Sequence, residues 1–259
     1  MRNCSRSFES SARFARAAST GPRFLYGPRS KKMLNIARRC VPFTPFEKDL
    51  STATVALVSA TGVYLPDQEP FPTEDPGDVS YRVIPSDVEA STMRIAHHHY
   101  DHSEADADPN IVFPIDSLRE LAKEGVIAAV NDKHYSYGFT TRLKELYEKT
   151  FPEIADKIER SKTKVVVLTA GCPETCHRSI ANLAREIEAR GVPTIIISAS
   201  PAATESVRPP RAMTFDGSEI GRVVGRAGER EFHKKVVRAA LEMFMHDTPP
   251  GRVVTKQIV

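Results

Sequence analysis

Three runs of apolar and β-branched residues set the frame of this chain: Thr54-Val-Ala-Leu-Val-Ser-Ala60, Lys164-Val-Val-Val-Leu-Thr-Ala170 and Val192–Ser198. A strand with one wet face alternates polar and apolar side chains. These runs do not alternate, so each is expected to be buried on both faces, as in a parallel sheet. An amphipathic helix over residues 174–190, stopped by Gly191, joins the second run to the third. Strands alternating with helices predict an α/β fold: an open, mainly parallel sheet with helices on both faces, in Rossmann- or flavodoxin-like layers.

The remaining segments fit that frame. Five Pro and Gly residues make 65–79 a long loop off the first strand. Tyr81–Pro85 reads as extended and Met93–Ala96 as a strand ending at His97. A helix is expected from an Asp116 N-cap to Gly125, then a short strand over 126–130. A polar stretch with His134, Tyr135 and Tyr137 follows. Residues 139–160 read as two helical segments broken at Pro152. Residues 217–228 are glycine-rich, and 229–245 form a last helix.

Of 259 residues, 41% are hydrophobic and 27% charged, a globular composition, and four Cys are too few for a disulfide-stapled scaffold. No apolar run approaches the ~18 residues of a membrane-spanning helix, so no membrane association is expected. Net charge is +3, unevenly placed: ten of the 36 Lys/Arg and one of the 33 acids fall in residues 1–40, leaving 26 basic against 32 acidic residues. A mildly acidic body argues against nucleic-acid binding. Residues 1–48 are therefore read as a basic extension and extended arm, and 49–259 as a single domain. Residues 1–32 lack the apolar stretch of a secretory signal and read either as a tail, with Met33 an alternative start, or as an organelle leader. A cytoplasmic location is expected, with an organelle as the alternative.

In open α/β sheets ligands bind outside the carboxyl ends of the strands. The segment Thr169-Ala-Gly-Cys-Pro-Glu-Thr-Cys-His-Arg-Ser179 lies there. Cys172 is expected at a helix N-cap and Pro173 at the first helical position, where backbone N–H groups and the helix dipole favour thiolate over thiol. Cys176 is one turn on, within disulfide reach. His177 adds a proton donor and Arg178 a fixed cation. Redox or nucleophilic chemistry is the reading for this turn; two buried apolar cysteines are the alternative. Cys4 and Cys40 are given no role.

His97-His-His-Tyr-Asp-His102 contains H-x-H-x-D-H, a spacing that suits zinc ligation. Paired zinc ions in a hydrolase, a single metal on His97, His99 and His102, a substrate-facing acid/base cluster, and a solvated loop all remain open.

Gly77-Asp-Val-Ser-Tyr-Arg-Val-Ile-Pro-Ser-Asp87, the His97–His102 cluster, Val112-Phe-Pro-Ile-Asp116, Leu118-Arg-Glu-Leu-Ala122 and the cysteine turn together resemble the selenoprotein B family of glycine, sarcosine, betaine and D-proline reductases. In that family a selenocysteine or cysteine at the strand-to-helix turn is followed by a cysteine three residues later; here the spacing is four. The resemblance implies reductive cleavage of a C–N or other C–heteroatom bond in a small amino-acid-like or amine substrate. Cys172 would be the nucleophile, Cys176 the resolving thiol and His177 an accessory catalytic group. Asp78, Tyr81, Arg82, His99, Asp101, His102, His134 and Arg178 would line the substrate pocket, with Arg82 a candidate carboxylate clamp. The expected redox partner is an external dithiol, such as a thioredoxin-like protein, with no bound cofactor and zinc as the metal alternative. A pyruvoyl-type or other reductase subunit is an expected partner, and a homo-oligomer the expected state. A partner-dependent or non-catalytic subunit and a metal-dependent hydrolase stand as alternatives.

Overall fold

A computed structural model of the protein describes residues 41–246 and 248–258. Cys4, Cys40 and the basic segment 1–32 lie outside the described residues. The chain divides into two units, Met1–Pro42 and Phe43–Val259; the second carries everything that follows.

Its strands are β1 (Thr54–Ala60), β2 (Val63–Tyr64), β3 (Tyr81–Pro85), β4 (Arg94–Ile95), β5 (Ala129–Val130), β6 (Lys133–Tyr137), β7 (Val165–Ala170), β8 (Thr194–Ile197), β9 (Ala212–Phe215) and β10 (Val253–Lys256). The main sheet runs β10-β9-β8-β7-β1-β6-β3, with β5 also on β1. Its neighbours are parallel, except that the edge strand β3 is antiparallel to β6. β2 and β4 form a separate antiparallel ribbon. The α/β expectation holds.

Helices α1 (Ser103–Ala107), α2 (Ile115–Lys123), α3 (Phe151–Glu159), α4 (Thr175–Glu188), α5 (Pro201–Ser206) and α6 (Arg230–Glu242) cover the sheet. Every residue of β7 is buried. Successive side chains point to opposite faces, so both faces are covered. Each fully buried Val or Leu there contributes about 1.5–3 kcal/mol over an exposed one. The register identifies the layers. Ser59 pairs with Ser136 and Thr169, and the Ser59 and Thr169 hydroxyls meet the Val112 carbonyl before α2. Tyr137, one residue on from Ser136, faces the other way, with its hydroxyl 3.0 Å from Ser179 of α4.

Several expectations shift. Pro152 does not break the helix: a π-turn over Leu146–Thr150 runs into α3 with Pro152 in its first turn, where no N–H is needed. Asp116 does not cap α2, which opens at Ile115 after Pro114; its carboxylate instead receives Asn110 Nδ2 and Arg119. The strand expected over 126–130 is only Ala129–Val130, and the polar stretch after it is β6. β1 pairs with β5 at Thr54 and Val55 and with β6 at Val58 and Ser59. In the gap, the Leu57 N–H donates to His134 Nδ1 at 2.9 Å. A side chain completes the ladder, which is why the segment reads polar.

Candidate active site at the sheet switch point

The chain leaves β1 toward β6 but leaves β7 toward β8, on the opposite side. The carboxyl ends of β1 and β7 therefore flank the point where strand order reverses, the place where open α/β sheets bind ligands. Three loops meet there, and two glycines allow it. Gly62 has φ +74°, and a Cβ on it would lie 2.3 Å from the Ala96 carbonyl. A Cβ on Gly171 would lie 2.4 Å from the Tyr100 ring. The Tyr100 hydroxyl donates to the Thr61 carbonyl at 3.0 Å, tying the histidine loop to the end of β1.

This convergence places His97, Cys172 and Cys176 together, each at most 4% exposed, with His97 Nε2 and the two sulfurs within 4.8 Å of one another. Both cysteines are free thiols. The helix begins later than expected: Glu174 is the N-cap of α4, and Cys172 and Pro173 form the turn before it. The electrostatic consequence survives, because the Cys176 N–H, in the first turn of α4, donates to Cys172 Sγ at 3.0 Å. The Cys176 side chain holds the Cys172 thiol well below its usual value, against burial and with help from His97 and the Cys176 N–H. Cys176 moves the other way, pushed up by burial and then by the anionic sulfur beside it. The two shifts run in opposite directions, so ionisation of the pair favours Cys172 over Cys176.

His177 has both ring nitrogens engaged. Nε2 accepts from the Ala199 N–H at 3.1 Å, so the proton sits on Nδ1 and donates to the Cys172 carbonyl at 2.6 Å. The ring fixes the backbone of Cys172 and does not act on its sulfur. Arg178 forms an exposed ion pair with Glu174 at 2.8 Å.

The histidine cluster does not converge as a set. His99 stacks on Phe139 at 3.5 Å between ring centroids, with Nε2 3.7 Å from Asp75. His102 pairs with Asp106 at 2.8 Å, and Asp101 accepts from the Ser103 N–H. Among the described residues, the His/Cys/Asp/Glu donors that do gather are His97, Cys172 and Cys176. They do not suit a metal as they stand. His97 Nδ1 accepts from the His99 N–H at 3.1 Å, so neutral His97 carries its proton on Nε2, facing the sulfurs. A ring nitrogen that bears a proton has no lone pair to give.

The other expected pocket residues lie elsewhere. His134 is buried mid-strand, and burial lowers its pKa to about 3. Arg82 on the edge strand reaches the Glu69 and Tyr81 carbonyls and Ser80 Oγ and lies 4.3 Å from the Phe71 ring centre. Asp78 accepts from Ser80, and Tyr81 packs edge-on to Tyr135. What the sequence did not mark is His97 as the sulfurs' partner and Tyr100 as the side chain that sets the depth of Gly171. The signal for His97 was its place just after a short strand, in one of the three loops expected to gather where Cys172 lies.

The family model described as Glycine/sarcosine/betaine reductase selenoprotein B matches residues 31–171. The chain belongs to this family. That match stops one residue before Cys172. The chain is 37% identical over 213 residues to D-proline reductase subunit gamma of Acetoanaerobium sticklandii, covering 82% of this chain and 86% of that protein. It is 34% identical over 162 residues to glycine reductase complex component B subunit gamma of Symbiobacterium thermophilum, covering 60% of this chain and 37% of the relative. It is 30% identical over 158 residues to betaine reductase complex component B subunit beta of Peptoclostridium acidaminophilum, covering 57% and 34%. The chain thus spans most of the first relative and about a third of the other two. No solved structure matches it significantly. Among the described residues no helix is long and apolar enough to cross a membrane.

Proposed function

We propose that the chain is a thiol-dependent reductase subunit that cleaves a C–N bond in a small amino-acid-like substrate, with Cys172 as nucleophile and Cys176 as resolving thiol. The observation that carries this is a buried pair of free cysteines at the switch point of the sheet, with the Cys176 N–H donating to the Cys172 sulfur at 3.0 Å. The Cys172 thiolate attacks the carbon bearing the amino group; a C–S bond forms and the amine leaves with the C–N electron pair. Cys172 then no longer bears charge, so the anion that helped hold up the Cys176 thiol is gone. Cys176 loses its proton and attacks the Cys172 sulfur. The S–C pair departs with the carbon, which takes up a proton, and a disulfide remains. An external dithiol reduces it by exchange and is itself oxidised. The reading requires no resident cofactor.

The relatives' names favour a partner-dependent form. All three are subunits of reductases, and an unactivated amine is a poor leaving group. Full turnover is therefore proposed to need a second subunit that activates the amine, of the pyruvoyl type. The test is ammonia release with a dithiol, for the chain alone and with such a subunit, in wild type and Cys172→Ser. Loss of turnover in Cys172→Ser is the result expected; unchanged turnover overturns the reading.

A further inference from the structure

We propose that His97 is a fixed, neutral N–H donor to the sulfur pair, a positioning residue that keeps Cys172 anionic without forming an imidazolium–thiolate ion pair. The proposal rests on the reading of Cys172 as the reacting sulfur, but its test needs no turnover.

The geometry leaves the ring one arrangement. The His99 N–H points at His97 Nδ1 from 3.1 Å, so that nitrogen accepts. The proton of the neutral ring is on Nε2, 3.2 Å from Cys176 Sγ. A second proton would have to go on Nδ1 and would face the His99 N–H head-on. The ring is also buried against Tyr100, with centroids 4.7 Å apart, and Phe139, at 6.1 Å. Burial favours its neutral form.

Donation therefore runs from the His99 main chain to His97, from His97 to Cys176, and from the Cys176 thiol and N–H to Cys172. Neutral donors stabilise the anion, yet none is a counter-ion that must be pulled away when the sulfur attacks. In a Cys–His ion pair, the thiolate becomes more reactive toward a neutral alkylating agent when the imidazolium loses its proton, which adds a second ionisation step; here there is no such proton to lose. The titratable groups facing the trio are Tyr100, whose hydroxyl is engaged by Thr61, Tyr137, whose hydroxyl meets Ser179, His177, whose ring is held by the Cys172 carbonyl and the Ala199 N–H, and His99, His102 and Asp106 at longer range.

The experiment follows the full chain on two readouts: thiolate absorbance near 240 nm and the rate of iodoacetamide labelling at Cys172, each against pH. Wild type is expected to show a single rising ionisation with no second step up to about pH 9. In His97→Phe, which keeps the ring and removes the donor, the apparent thiol pKa is expected to rise by about one unit, slowing labelling at a pH below it about tenfold. His97→Gln, which restores an N–H, is expected to recover most of that loss. A second rising step in the wild-type profile, or a glutamine variant no better than phenylalanine, overturns the proposal. If both variants misfold, nitrogen-15 histidine spectra of the wild-type protein decide. An Nε2–H ring that does not titrate near pH 6.5 supports the proposal, and an imidazolium at pH 7 overturns it. Normal thiolate behaviour without ammonia release would defeat only the reductase reading.

Discussion

The two edges of the sheet each bury an acidic group and surround it in different ways: burial pushes the Glu188 carboxyl up to about 7 despite the Arg211 guanidinium beside it, whereas the Cys172 thiol is held below its usual value. At the amino edge, Glu188 at the end of α4 accepts from Arg211 at 2.7 Å and from the Thr194 N–H at 2.7 Å and hydroxyl at 3.0 Å. Arg211 also donates to the Thr44 carbonyl and lies 3.8 Å from the Phe43 ring centre. At the carboxyl edge, the Cys172 sulfur meets the N–H and thiol of Cys176 and, beside them, the His97 ring. An opposite charge held by many bonds locks a group in place. Neutral donors lower its energy and leave its charge free to react. Buried charge at the amino edge therefore reads as architecture, fastening Phe43–Phe46 to the domain, and at the carboxyl edge as chemistry.

The difference can be broken most sharply by Cys172→Ser. A serine hydroxyl at that place stays protonated at neutral pH, so dithiol-dependent turnover is expected to fall to background, with stability unchanged to within about 1 kcal/mol. Turnover above background would remove the chemical half of the contrast. Next in size is Glu188→Ala. It strands a buried guanidinium and is expected to cost about 3–5 kcal/mol in urea unfolding while leaving Cys172 labelling unchanged. A loss below 1 kcal/mol would mean that the pair is not the anchor it resembles.

The pH dependence of stability comes third. His134 is neutral in the fold, with its pKa at about 3 against 6.5 when free. Its contribution is complete above the unfolded value and is lost as pH falls from 6.5 toward 3. Over pH 6.5 to 5 this amounts to about 2 kcal/mol. His134→Gln should flatten that part of the stability curve, and an unchanged slope would contradict the assignment. The smallest effect is expected from His99→Ala and His102→Ala. Neither ring touches the sulfurs, so labelling at Cys172 should stay within about twofold of wild type. A tenfold loss would return the histidine cluster to the site.

These outcomes bear on what the sequence could express. The layer order was legible because β1 and β7 carry no polar alternation. The cysteine turn was legible because Cys-Pro follows a buried strand. β6 was not, since within Lys133-His-Tyr-Ser-Tyr137 the buried His134 and Tyr137 meet partners far along the chain, Leu57 and Ser179. The H-x-H-x-D-H spacing pointed to zinc because spacing carries no direction. A single backbone N–H, that of His99, decides whether His97 offers a lone pair or a proton. Arg82 and His134 read as pocket residues for a related reason: the Glu69 and Tyr81 carbonyls that hold Arg82 and the Leu57 N–H that holds His134 are main-chain groups, which leave no mark in a sequence.

The central claim, an anionic Cys172 at neutral pH, is tested most directly by mapping iodoacetamide labelling residue by residue. The account requires Cys172 to be modified before Cys176, at a rate nearly constant from about pH 6 to about pH 8. A rate that climbs about tenfold per pH unit across that range, as for an ordinary thiol, or labelling that begins at Cys176, would contradict it.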